Sequence, residues 1–111
     1  AIMQYVQLYL GGKIMLNNKD KKYLRSLGMN IEPIVQIGKN GVNESVLFSL
    51  NEALTARELV KIKVLKNCFE EMDEVAESIA AGGDCEIVQT IGRNILAYRP
   101  NKKKPVIKFP E

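Results

Sequence analysis

Gly38-Lys39-Asn40-Gly41 is the stretch of this sequence whose residue types best suit contact with an anionic ligand. Two glycines remove the Cβ atoms that would hold a polyanion away from the backbone, and the lysine between them supplies a mobile cation. A helix starting near Asn43 would add N-terminal amides and the positive end of its dipole, making the four residues a phosphate cradle. The spacing alone decides little: eight glycines in 111 residues yield about 0.6 such pairs by chance. A tight strand-to-helix turn explains the pattern equally well. The loop is not of the nucleotide-triphosphate type, because no Gly-Lys-Ser/Thr follows at the required distance.

Other chemistry is largely excluded. The chain has no histidine, which removes the usual general base near neutral pH and the commonest metal ligand. Cys68 and Cys85 lack the partners of a zinc site and read as reduced structural thiols. No pair of carboxylates or lysines sits in a recognisable catalytic motif. A non-enzymatic protein is expected, with no cofactor, no metal and no small-molecule substrate.

The net charge of +3 hides strong segregation. Seven acids, Glu70, Glu71, Asp73, Glu74, Glu77, Asp84 and Glu86, fall between Cys68 and Glu86 without a single Lys or Arg. The other six of the thirteen acids face all sixteen bases, so the remainder carries +10. Such polarity suits one face for a polyanion and another turned away from it. The plainer alternative is an acidic helix and a basic tail with no common purpose.

The elements that must position these residues follow from periodicity. At 46% apolar residues, with few aromatics and no tryptophan, the chain can bury one modest core, so a single domain is expected. No apolar run approaches the roughly 20 residues needed to cross a bilayer and no secretory leader pattern is seen, so a cytoplasmic protein away from membranes is expected. Residues 1–14 read as an N-terminal extension, non-native or flexible, in which the alternation over residues 5–10 could form a strand. Asn17 or Asn18 caps a first helix with Leu24 and Leu27 on one stripe, stopped by Gly28 and Asn30. Pro33 then forces extension, and Ile34-Val35-Gln36-Ile37 is a short β-branched strand running into Gly38.

Asn43 caps a second helix in which Val46, Leu47, Leu50, Ala53 and Leu54 recur at helical spacing. Residues 59–65 alternate as a strand, with Val60, Ile62 and Val64 on one side and Lys61 and Lys63 on the other. A third helix over about residues 70–81 buries Met72, Val75, Ala76 and Ile79, presents acids outward and stops at Gly82-Gly83. Residues 86–90 and 94–99 form a hairpin about Gly92-Arg93. The order is α-β-α-β-α-β-β, and the domain spans residues 15–100. Residues 101–111, with Lys102-Lys103-Lys104-Pro105, have the composition of a mobile basic arm, from which Val106, Ile107 and Phe109 could still dock.

Four ordered blocks carry a longer resemblance: Tyr23-Leu24-Arg25-Ser26-Leu27; Glu32-Pro33-Ile34-Val35-Gln36-Ile37-Gly38-Lys39-Asn40-Gly41-Val42; Arg57-Glu58-Leu59-Val60-Lys61-Ile62-Lys63-Val64; and Val88-Gln89-Thr90-Ile91-Gly92-Arg93 with Leu96-Ala97-Tyr98-Arg99-Pro100. Together they resemble the CRM (YhbY-like) domain of the bacterial single-domain type. The resemblance implies an α/β two-layer (α+β) fold, a four-stranded mixed sheet packed against helices, similar to the C-terminal domain of bacterial translation initiation factor three. It also implies RNA as partner, ribosomal RNA or a precursor of the large ribosomal subunit; a monomer is expected. The residues it assigns to RNA are Gly38, Lys39, Asn40 and Gly41, with Arg25, Lys61, Lys63 and Arg99. Many relatives have Ala-His after the first helix where this chain has Gly28-Met29, so no role of that imidazole carries over.

Each residue also has a plainer reading. Lys61 and Lys63 would guard an edge strand against aggregation, and Arg25 would pair with Asp20 or cover the core with its stem. Tyr23 and Tyr98 would pack rather than stack on bases. With few aromatics available, recognition of RNA backbone and shape is expected over reading of splayed bases. The alternative function is a protein-interaction module that uses the acidic third helix in an assembly complex.

Overall fold

The computed structural model describes residues 16–110. The expected extension over residues 1–14 and its strand lie outside the described residues.

Local capping sets the helix starts. Asn17 accepts the Asp20 amide at 2.7 Å and opens α1 (Asn18–Gly28), while Asn43 accepts the Val46 amide at 2.9 Å and opens α2 (Glu44–Arg57). Each side-chain oxygen satisfies an N-terminal amide that the helix itself cannot. Helix α3 (Met72–Gly83) starts two residues later than expected, and it runs through Gly82-Gly83 to end at Asp84 in the left-handed conformation.

The strands are β1 (Pro33–Ile37), β2 (Leu59–Val64), β3 (Glu86–Ile91) and β4 (Asn94–Tyr98), in the spatial order β1-β2-β4-β3. β1 and β2 run parallel, which requires the crossover that α2 supplies. The β2/β4 and β3/β4 pairs are antiparallel, so the sheet is mixed and the α-β-α-β-α-β-β order stands. β2 lies inside the sheet, paired on both sides. An edge-guarding role for Lys61 and Lys63 is therefore ruled out, because β2 has no open edge to guard.

Alternation divides the core between the two faces of the sheet. Val35, Ile37, Val60, Ile62, Val64, Ile95 and Ala97 pack against Leu50 and Leu54 of α2 and Val75 and Ile79 of α3. On the far face Leu59, Val88, Leu96 and Tyr98 pack against Leu24 of α1. Helices thus flank both sides of the sheet. At the end of α1 a Cβ on Gly28 would fall 2.6 Å from Leu96 Cδ2, so glycine lets the helix close on the sheet.

In the C-terminal segment Ile107 and Phe109 dock, while residues 102–106 are exposed. Glu58, fully buried at the end of α2 with φ +65°, accepts the backbone amides of Asn101, Val106 and Ile107. Ile107 and Phe109 join the α1 side of the core, where Phe109 meets both Tyr23 and Tyr98 at ring centroids 5.8 and 5.7 Å apart. Both tyrosines are therefore occupied by packing. Lys102, Lys103 and Lys104 remain exposed.

Candidate nucleic-acid interface

The glycine loop joins β1 to α2, not two helices as in KH domains. The Gly41 amide donates to the Gly38 carbonyl at 3.0 Å and closes the turn. Gly41 has φ +66°, and a Cβ there would lie 2.2 Å from Glu70 Oε1 and 3.0 Å from the Phe69 ring. The absent side chain admits a carboxylate: Glu70 Oε1 accepts the Val42 amide at 2.9 Å. Glu70 thus belongs to the loop, unlike the outward acids of α3 with which its sequence position groups it.

This contact occupies the Val42 amide at the start of α2. A charge-assisted hydrogen bond of this kind is worth about 1.5–3 kcal/mol, which a phosphate would have to overcome to reach the Val42 amide. The tip of the turn carries no such competitor. Lys39 and Asn40 are exposed, and their amides make no hydrogen bond among the described residues. The Lys39 ammonium and the tip amides are thus the groups of the loop left open to solvent.

The topology brings other cations to the same end of the sheet. The Leu65 amide bonds the Ile37 carbonyl at 2.8 Å, tying the exit of β2, and with it exposed Lys66, to the start of the glycine loop. Arg93, exposed in the β3/β4 hairpin, accepts the Val64 amide through its carbonyl at 2.8 Å and donates from Nη1 to the Leu65 carbonyl at 3.4 Å. Lys63 is exposed on β2, opposite Gln36 of β1 and Asn94 of β4. Lys39, Lys63, Lys66 and Arg93 thus converge on one end.

Lys61 lies further down the same sheet face, half-buried, and lines a shallow pocket with Gly28, Met29, Gln89, Asn94 and Leu96. Arg25 sits half-buried in the last turn of α1, the helix that covers part of this face. The exposed acids Glu71, Asp73, Glu74 and Glu77 belong to α3 and its cap, and α3 packs on the opposite face. The acids of α3 thus lie on the sheet face opposite Lys61 and Lys63, with Glu71 following directly on the loop-bound Glu70.

Arg99 does not join the cluster. Its Nη1 donates to Asn51 Oδ1 and the Gly83 carbonyl, both at 2.6 Å, and its Nη2 to the Asn51 carbonyl at 3.1 Å and Thr55 Oγ1 at 3.0 Å. Four acceptors from α2 and α3 hold the guanidinium beyond the C-terminal end of β4, whereas the loop lies near its start. Of the residues that the resemblance assigns to RNA, Arg99 is thus the one the structure uses as a brace between helices, with four of its five N–H donors engaged.

Residues 16–99 match the family model of the CRS1/YhbY (CRM) domain. The chain belongs to this family. Among its relatives, the Probable RNA-binding protein YqeI of Bacillus subtilis is 44% identical over 96 residues, covering 86% of this chain and all of the relative. The Probable RNA-binding protein MJ0652 of Methanocaldococcus jannaschii is 36% identical over 103 residues, 89% of this chain and 76% of the relative. The solution structure of the hypothetical protein SAV1595 from Staphylococcus aureus is similar at a TM-score of 0.73 and 45% identity, covering 86% of this chain and all of the other.

In this CRM domain, sequence reasoning missed Lys66, Arg93 and Glu70 as loop neighbours. Arg93 carried a signal, since a Gly-Arg turn between two strands exposes its cation. Glu70 carried none, because its role depends on a contact 28 residues away. Among the described residues no helix is long and apolar enough to cross a membrane, and no group of three or more His, Cys, Asp or Glu could hold a metal.

Proposed function

We propose that this CRM domain binds RNA through the end of the sheet that carries Gly38-Lys39-Asn40-Gly41. The observation that supports this most is the placement of Lys39, Lys63, Lys66 and Arg93 at that end of the sheet. The cations meet phosphates, the turn tip allows close approach of a sugar-phosphate backbone, and Lys61 and Arg25 extend the surface across the sheet. The ligand we assign is ribosomal RNA in an assembling large subunit, as the family resemblance implies, bound in the cytoplasm by a monomer without catalysis.

Salt dependence tests the reading. Four neutralised phosphates should give a slope of about −3 to −4 in log K against log salt. Lys39→Glu should weaken binding and flatten that slope by about one. Affinity indifferent to both salt and Lys39→Glu would refute it. The large-subunit assignment is checked separately by co-sedimentation with precursor particles on low-salt gradients.

A second reading rests on the exposed acids Glu71, Asp73, Glu74 and Glu77, which make the α3 side suitable for a basic protein within the same particle. Reversal of these charges with RNA binding retained and a protein partner lost would assign the two sides different tasks.

A further inference from the structure

Phe69 is an aromatic ring that the fold leaves in water. It is 75% exposed, and ring carbon Cε1 lies 3.0 Å from the position a Cβ would take on Gly41. Its neighbours are anchored on both sides: half-buried Cys68 packs against the core, and Glu70 accepts the Val42 amide at 2.9 Å. The backbone that presents the ring is therefore held, and the ring stands at the rim of the loop, in a segment that also bears exposed Lys66. No core requirement accounts for it, since a large apolar group left this exposed gains little from folding.

Building on the RNA-binding reading above, we infer that Phe69 is a stacking platform for an unpaired base of the RNA whose backbone lies on the Gly38-Lys39-Asn40-Gly41 turn. A backbone gripped at Lys39 and Asn40 carries a base on each nucleotide, and the aromatic face beside Gly41 is within reach of a neighbouring one. The Glu70 carboxylate lies beside the ring at Gly41 and Lys66 stands in the same segment, so the flat apolar face suits a nucleobase whose phosphates are held by Lys39 and Lys66. Glycine at position 41 serves this site twice, admitting the Glu70 carboxylate and letting the ring lie against the loop. The scarcity of aromatics argued for backbone and shape recognition alone, and exposed Phe69 adds a preference for an unpaired nucleotide at the loop.

The test uses the full chain with two fluorescein-labelled probes of equal length, an unstructured single-stranded RNA and an RNA duplex. Phe69→Ala and Phe69→Leu should each lose about tenfold or more in affinity for the single strand and keep their duplex affinity. Phe69→Trp should retain single-strand binding, and its indole, the only one in a chain without tryptophan, should be quenched on binding. Thermal unfolding by circular dichroism verifies that each variant is folded, as expected for an exposed side chain. Wild-type affinity of Phe69→Ala or Phe69→Leu for the single strand, with Lys39→Glu still weakened, would overturn stacking and leave backbone binding intact. An equal loss on both probes, or an indole unchanged by saturating single strand, would also overturn it. Wild-type protein that binds neither probe would overturn both readings.

Discussion

Glu70 reaches back 28 residues to accept the Val42 amide at 2.9 Å, so the acidic segment and the glycine loop form one structural unit. Gly41 makes the contact possible, since its φ of +66° and its missing Cβ leave room for the carboxylate. The two loop glycines are therefore not equivalent. Gly41→Ala should lower stability by about 2–4 kcal/mol, from left-handed strain and the lost hydrogen bond. Gly38→Ala, whose Cβ would meet nothing closer than 3.8 Å, should stay within about 0.5 kcal/mol of wild type. Urea denaturation of both variants checks this, and equal destabilisation would contradict it.

Arg99 separates structure from binding. Loss of its four hydrogen bonds to Asn51, Gly83 and Thr55 should make Arg99→Ala less stable by about 2–3 kcal/mol. RNA affinity measured on the folded fraction should be unchanged. Arg99→Lys should recover only part of the stability, because one ammonium cannot span the acceptors that the fork reaches. A large loss of affinity in a fully folded Arg99 variant would restore its place in the interface.

Glu58 anchors the C-terminal segment. Glu58→Ala removes the acceptor for the amides of Asn101, Val106 and Ile107, and it should release residues 101–109 while the sheet persists. Hydrogen exchange at those three amides should accelerate markedly relative to amides of β2 and β4. Uniform acceleration across the domain would show that Glu58 supports the whole fold instead.

The two thiols should differ in reactivity. Burial pushes the Cys85 thiol up from 9.0 to about 12, with Asp84 and Glu86 adding to the rise and Arg99 opposing it; its Sγ donates to the Ile79 carbonyl. Only the thiolate attacks alkylating reagents, so iodoacetamide at pH 8 should modify half-buried Cys68 first and Cys85 only after unfolding. The same shift makes stability fall at high pH. Above about pH 9 the unfolded thiol loses its proton while the folded one keeps it, and the unfolded state gains. Cys85→Ala should weaken that alkaline loss in denaturation curves measured between pH 8 and 11.

Much of this architecture was legible without coordinates because helices and strands are written in local periodicity. The caps at Asn17 and Asn43, the alternation from Val60 to Val64 and the turn at Gly92 each depend on residues a few positions apart. The family resemblance carried the mixed sheet and the place of the glycine loop within it.

Strand order, and the side chains whose partners lie far away in sequence, belonged to tertiary structure. β2 became an inner strand through pairing with both β1 and β4, which moved Lys61 and Lys63 from a possible edge to an open sheet face. Arg99 is bound by Asn51, 48 residues earlier, and Glu70 turned inward for an amide that only Gly41 leaves accessible. The docked segment depends on Glu58, 48 and 49 residues before the Val106 and Ile107 amides it accepts. By itself the sequence determined which segments fold locally, the family and the loop most suited to an anion. Only the packed structure decided which charges remain free for a ligand, because a side chain's partners are set by which distant segments the core brings beside it.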